Sequence, residues 1–259
     1  MGKQTRQEDL LRILQEKGHA NAQQLSSLLG VSEVTVRRDF NALESEGLIR
    51  RIYGGAIPAN PSLRRGLTEK LLFDERANIN AKEKSAIALC AAQLIREHEA
   101  IYLDIGTTIA ALADVIQDRE NLTVLTNSLA VLNVLSGSAL KIYSIGGLLN
   151  GNELSISGNI ASSFVQNFNI DNAFIGVGGI TLQNGISDYF YETTQLRKAV
   201  IERAHQVTLL ADSSKFGTDC FSVICPLDRI STIITDTGLS EMYRQEIRSM
   251  GINLILAEI

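Results

Sequence analysis

The chain has 259 residues and a formal net charge of −5, with 45% hydrophobic and 20% charged residues. That length accommodates one large domain, or a small one and a larger one, and the balance is that of an ordinary globular protein. A disulfide-stapled scaffold and a membrane-spanning protein are excluded: the three cysteines show no framework or zinc spacing, and no apolar run is long enough to cross a bilayer.

The N-terminus, MGKQTRQEDLLRILQEKG, is helical in pattern and mixed in charge. It lacks the apolar centre of a signal peptide, and Arg6 stands where a myristoylation signal needs Ser or Thr, so the expected location is cytoplasmic. Thr5 and Glu8 have the spacing of a capping box. Leu10, Leu11, Ile13 and Leu14 then form one apolar face, and Gly18 stops the helix. Asn21 with Gln24 starts a second helix, burying Ala22, Leu25, Leu28 and Leu29 and ending at Gly30. Ser32 caps a third, with Val36, Phe40 and Leu43 on one stripe and Gly47 as its stop. LIRRIY alternates into Gly54-Gly55, the pattern of a short strand and a turn.

Three short helices followed by a small β-wing make a winged helix-turn-helix, whose third helix enters the DNA major groove. With Val36, Phe40 and Leu43 inward, the outer face centres on Val34, Arg38 and Asn41, flanked by Thr35 and Arg37. Such a face bonds phosphates and base edges. Ser32, Thr35, Arg37, Arg38, Asn41 and the wing residues Arg50 and Arg51 are the expected contacts to double-stranded DNA. Glu33 and Asp39 keep the helix soluble and oppose indiscriminate phosphate binding. Residues 1–65 hold 10 Lys and Arg against 7 Asp and Glu, a net +3, while the remainder holds 14 against 22, a net −8. The asymmetry points to two parts with different partners. A winged helix used only for protein contacts is the competing reading.

IPANPSLRRGLTEK, residues 57–70, holds two of the three prolines and reads as an interdomain connection. The expected division is residues 1–57 as the DNA-binding domain, 58–74 as linker and 75–259 as a larger domain. FDERANINAKEKSAIALCAAQLI is mainly helical, with Cys90 in its apolar run. Seven Val- and Ile-rich runs follow: AIYLDI, LTVLT, LKIYSI, NAFIGV, QVTLLA, STIIT and INLILA. Nearly continuous apolar strands alternating with helices predict an α/β domain with a mainly parallel sheet covered on both faces.

Ligands of such sheets bind beyond the carboxyl ends of the strands. Those ends carry Asp104, Gly106, Thr107 and Thr108; Thr126, Asn127 and Ser128; Gly146 and Gly147; Gly178 and Gly179; and Asp212, Ser213, Ser214 and Lys215. Gly106 permits close backbone approach, and Thr107 and Thr108 open the following helix, which suits a phosphate or another anion. Lys215 adds a positive charge. Asp104 and Asp212 have acceptors for sugar hydroxyls. Asp188 and Glu192 reach toward the same edge or are solvated. His19, His98 and His205 are scattered, and no catalytic group, metal site or cofactor is expected.

The segments SEVTVRRDFNALESEGLIRRIYGGA, DIGTT, TNS, IGG, FIGVGGI and LLADSSKFG, in this order, resemble the DeoR family of bacterial transcriptional regulators over nearly the whole chain. The resemblance implies a sensor domain related in fold to ribose-5-phosphate isomerase. It also implies a phosphorylated sugar or sugar catabolite as effector, release from the operator on binding, repression of a carbohydrate operon, and a homodimer or homotetramer. The motifs DIGTT and TNS, Gly146, Gly147 and Lys215 match its effector site. The acidic residue that members often carry just after Asp188–Glu192 falls here on Thr193 or Thr194. Two other readings stand beside it: a sugar-phosphate isomerase-like enzyme with an attached DNA-binding module, and a structural nucleic-acid-binding protein without effector.

Overall fold

The computed structural model describes residues 3–17, 19–52, 55–58, 73 and 76–259. The chain falls into two units, Met1–Arg76 and Ala77–Ile259.

The first unit holds helices α1 (Lys3–Lys17), α2 (Ala22–Leu29) and α3 (Glu33–Ser45) and strands β1 (Ala20–Asn21), β2 (Ile49–Ile52) and β3 (Gly55–Pro58). Leu10 and Leu14 of α1, Leu25 of α2, and Val36, Phe40 and Leu43 of α3 form its core, each nearly inaccessible to solvent. The i, i+4 and i, i+3 spacings of the sequence are therefore its packing faces. At α2 the Asn21 side chain accepts from Gln24 N and the Gln24 side chain accepts from Asn21 N, a complete capping box. Gly30 ends that helix in the left-handed region, and Ser32 caps α3 by accepting from Thr35 N. β2 and β3 pair antiparallel as the wing, and β1 adds to β3. Gly55 lets the two backbones meet, because a Cβ there would lie 2.5 Å from Ala20 O.

Three expectations change. Thr5 does not cap α1, which already runs from Lys3, so Thr5 is an exposed residue within the helix. Leu28 is not buried: it is exposed on the outer side of α2. Ile57 and Pro58 are not linker but the end of β3. The stop at Gly18, the turn residue Gly54 and most of the expected linker lie outside the described residues.

The second unit is built on seven strands: β4 (Ala100–Leu103), β5 (Thr123–Thr126), β6 (Lys141–Ser144), β9 (Ile170–Ile175), β12 (Ala204–Leu210), β14 (Thr232–Asp236) and β15 (Asn253–Ala257). They are the seven apolar runs of the sequence. Their order is β15-β14-β12-β9-β4-β5-β6, and every neighbouring pair is parallel. Alternate residues feed two cores. Ile101, Leu103, Val124, Phe174, Leu210 and Ile234 pack under α4 (Ala81–Gln93), α5 (Thr107–Ile116) and α6 (Leu129–Leu135). Tyr102, Leu125, Ala173, Ile175, Leu209 and Ile233 pack under α7 (Asn159–Val165), α8 (Tyr191–Arg203) and α9 (Glu241–Ser249). Both faces are covered, which is why the strands carry no polar alternation.

Two smaller sheets were not expected. β7 (Leu148–Asn150) and β8 (Ser155–Ser157) form an antiparallel hairpin. β10 (Gly179–Thr181), β11 (Gly185–Asp188) and β13 (Ser222–Cys225) form an antiparallel sheet in that order. Their strands are three or four residues long and rich in Gly and Ser, too short and too polar for a periodic signal. Among the described residues no helix is long and apolar enough to cross a membrane.

Candidate functional site

The first candidate surface is the outer face of α3. Val34, Arg37, Arg38 and Asn41 are exposed there, Ser32 is exposed at its cap, and Thr35 is half-buried. Several of these groups engage one another. The Ser32 and Thr35 hydroxyls lie 2.9 Å apart, and Arg37 Nη2 donates to Glu33 Oε2 at 3.4 Å. Arg51 is not held out toward a DNA backbone. Its guanidinium folds back onto α3, donates to Asn41 Oδ1 at 2.5 Å and lies 5.4 Å from the Phe40 ring centre, while its backbone N donates to Glu44. Arg50 is the exposed arginine of the wing. Asp39 does not solubilise the helix. It is buried and takes Arg6 Nε at 2.5 Å, Arg6 Nη2 at 3.1 Å and Gln7 Nε2 at 3.3 Å, so it fastens α3 to α1.

The second candidate is the carboxyl edge of the seven-stranded sheet. α5 opens there on Gly106, at φ 115°, without a side-chain cap. A Cβ on Gly106 would meet nothing within 4 Å, and the same holds at Gly146. The start of α5, with Thr107 half-buried beside it, thus lies at the C-terminal end of a central strand without a side-chain cap. α6, the next helix along, differs: the Ser128 side chain accepts from Val131 N and closes its N-terminus. Lys215 lies in a short 3₁₀ turn, Ser213–Lys215, after β12.

Most other polar residues of this edge hold one another. Thr126 donates to Leu103 O at 2.7 Å and accepts from Ser128 N at 3.1 Å. Asn127 accepts from the Tyr102 hydroxyl at 2.8 Å and donates to Ile156 O at 2.9 Å, which ties β8 to the loop after β5. Asp212 accepts from the Ser214 backbone N and hydroxyl and from Asn80 Nδ2, anchoring the approach to α4. Asp104 is buried as well: its carboxylate takes Arg197 Nε at 2.6 Å, Gly176 N at 3.2 Å and the Tyr102 hydroxyl at 3.2 Å. Asp104 thus differs from the sequence expectation, since both of its oxygens are engaged inside the fold, whereas the three bonds to Asp212 all fall on Oδ1.

Arg197 is the group that sequence reasoning missed. It is 2% exposed and bridges Asp104 to Asp188, whose Oδ2 lies 2.5 Å from its Nη1. Burial disfavours the guanidinium charge, but the two carboxylates outweigh it and raise the pKa above that of an ordinary arginine. Burial likewise pushes the Asp104 carboxyl up, and Arg197 opposes that shift. An arginine in QLRKAV looks like a surface helix residue; only the packing of α8 onto β9, β11 and β13 turns it inward. Asp188 is therefore a buried partner of Arg197, while Glu192 is exposed in the first turn of α8. Thr193 and Thr194 both donate to Phe190 O. Gly147 seats the loop after β6 on β8, where a Cβ would lie 2.6 Å from Ser157 O. The buried hydroxyls of Ser155 and Ser157 have no hydrogen-bond partner among the described residues. No group of three metal-ligating side chains occurs among them either.

A winged helix with exposed arginines on its third helix, followed by an α/β domain on a parallel sheet, is a layout found in transcriptional regulators. The comparisons agree. Residues 6–61 match the DeoR-like helix-turn-helix domain, and residues 79–237 match the DeoR C terminal sensor domain. An HTH-type transcriptional regulator of Haemophilus influenzae is 33% identical over 252 residues, covering 97% of this chain and 96% of its own. The transcriptional repressor AccR of Agrobacterium fabrum is 32% identical over 237 residues, covering 91% and 90%. Among solved structures, ribose 5-phosphate isomerase A of Methanocaldococcus jannaschii aligns at a TM-score of 0.41 and 16% identity, covering 53% of this chain and 55% of its own. The chain belongs to the DeoR family of transcriptional regulators. It is a DNA-binding transcriptional regulator with a sensor domain.

Proposed function

We propose that the protein is a cytoplasmic repressor of a carbohydrate-catabolism operon, and that a phosphorylated sugar in the sensor domain releases it from the operator. The observation that carries this reading is the uncapped start of α5 at Gly106, beside Thr107 and Thr108, on the carboxyl edge of the sheet. Helix N-termini favour anions through free amides and the helix dipole. The DIGTT loop takes the phosphate, with Lys215 supplying charge. Gly146 admits the ligand to the backbone, Gly147 holds that loop against β8, and Thr126, Asn127 and Ser128 shape the wall beside it. Asp104 and Asp188 act through Arg197, and Glu192 is the acid left to meet a sugar hydroxyl. Among relatives, AccR is named as a transcriptional repressor, which supports the sign of regulation.

On the DNA side, Arg38 reads a base edge, Arg37 and Arg50 take phosphates, Ser32, Thr35 and Asn41 line the same face, and Arg51 sets the wing against α3. The DNA-binding domain, expected at residues 1–57, runs through Pro58; residues 59–74 connect it to the sensor at 75–259. The protein works as a homodimer or homotetramer, since helix-turn-helix proteins read two half-sites.

The test is thermal unfolding against a panel of sugars, each with and without its phosphate. A ligand at 100 times its Kd stabilises by about 2.7 kcal/mol. The expected result is a shift with a phosphorylated sugar alone, lost in Thr107→Ala. Equal shifts from sugar and sugar phosphate, or a shift that survives Thr107→Ala, would remove the phosphate from this loop.

A further inference from the structure

We infer that Val34 reads the methyl group of a thymine in the major groove, next to a guanine held by Arg38. This rests on α3 being the DNA-reading helix. Val34 is 75% exposed in the first turn of α3. It gains little from packing there, and valine is a weaker helix former than alanine, glutamate or lysine. A single exposed apolar residue is ordinary on a protein surface. What distinguishes Val34 is the stripe it belongs to. Val34, Arg38 and Asn41 follow at i, i+4 and i+7, so they share the outward face.

The polar groups around that stripe are already engaged. Asn41 Oδ1 accepts from Arg51, Arg37 bonds Glu33, and Ser32 bonds Thr35. With its oxygen taken, Asn41 has only amide donors to offer, so it does not make the donor-and-acceptor pair that recognises adenine. Arg38 has no hydrogen-bond or ion-pair partner among the described residues. Val34 and Arg38 are thus the two side chains ready to meet base edges without first breaking a bond.

Their chemistry names the bases. Thymine is the base that presents a methyl group in the major groove, and arginine pairs bidentately with guanine O6 and N7. The first residues of a recognition helix are those that reach base edges. Neighbours one turn apart on a helix lie about 5–6 Å from each other. Base pairs are stacked about 3.4 Å apart, so the thymine falls within two base pairs of the guanine.

The experiment uses the full chain and duplexes it enriches from a random 30-base-pair library. In an enriched duplex each thymine is replaced in turn by deoxyuridine, which lacks the methyl group, and each guanine by 7-deazaguanine, which lacks N7. Affinities are then measured at fixed salt for the parent, Val34→Ala and Arg38→Ala. One thymine per half-site is expected at which deoxyuridine weakens the parent about fourfold, the worth of one buried methyl group. Val34→Ala should be indifferent to that replacement. The 7-deazaguanine-sensitive position silenced by Arg38→Ala should lie within two base pairs of it. Circular dichroism should be unchanged in both variants. Enriched duplexes that show no thymine-methyl sensitivity, or a sensitivity that Val34→Ala retains, overturn the inference and leave DNA reading by α3 intact. A library that yields no enriched duplex overturns DNA reading itself, and the inference with it.

Discussion

The two candidate surfaces use polar residues in opposite ways. On α3, Arg37, Arg38 and Asn41 stand exposed, with Arg37 bonded to Glu33 and Asn41 to Arg51 at the surface. On the sheet edge, Asp104, Thr126, Asn127, Ser128, Asp188 and Asp212 are buried and hydrogen-bonded within the sensor. The first surface leaves its side chains exposed. The second fixes its side chains in internal hydrogen bonds, and under the proposed function it meets a ligand with glycine loops and helix amides. A motif of polar residues therefore means contact in one place and scaffolding in the other, and burial separates the two cases.

The sharpest way to break this contrast is at Arg197. Replacing it by Ala leaves Asp104 and Asp188 as two carboxylates buried without their cation. Such a loss costs about 3–5 kcal/mol, so urea unfolding of the sensor should move to much lower denaturant. Adding Asp104→Asn to Arg197→Ala should recover part of the loss. An unaltered midpoint in Arg197→Ala would show that the cluster is not the clamp described.

A smaller effect should come from Cys225 on β13, whose thiol is pushed up to about 11 by burial. The sign follows from burial of the neutral form. Its contribution is present below the ordinary thiol pKa of about 8.5 and is lost as pH rises through the raised value. Parent stability should thus fall between pH 9 and 11 by on the order of 2 kcal/mol more than that of Cys225→Ala. Parallel pH profiles in urea melts would contradict it.

Much of this architecture is legible in the sequence. The parallel sheet follows from seven runs such as NAFIGV and STIIT, and the winged helix from the 36, 40, 43 stripe and its caps at Asn21 and Ser32. What is not legible is pairing over long separations. Nothing in QLRKAV announces that Arg197 meets Asp104 across 93 positions, or in VRRDF that Asp39 meets Arg6 across 33. The short strands β7, β8, β10, β11 and β13 carry too few residues for a period. Asp104 shows the consequence: its place at a strand end marks the site, while its role depends on a partner the local sequence does not reveal.

On α3 the effects should be smaller for folding and larger for DNA. Ser32→Ala removes the cap bond to Thr35 N and should cost about 1 kcal/mol of stability. Arg38→Ala should leave the melting temperature and sugar-phosphate binding unchanged while weakening the operator by about 1–3 kcal/mol. A destabilised Arg38→Ala, or one with parental operator affinity, would remove Arg38 from the reading face.

Under the proposed function the two surfaces are coupled. The most direct measurement titrates an enriched operator duplex with the full chain, with and without a saturating phosphorylated sugar that shifts its melting temperature. Coupling of this kind is typically worth 5- to 150-fold in affinity. Weakened operator binding with the sugar phosphate, and none in Thr107→Ala, is the result the account requires. Equal operator affinity with and without the bound sugar phosphate would contradict it.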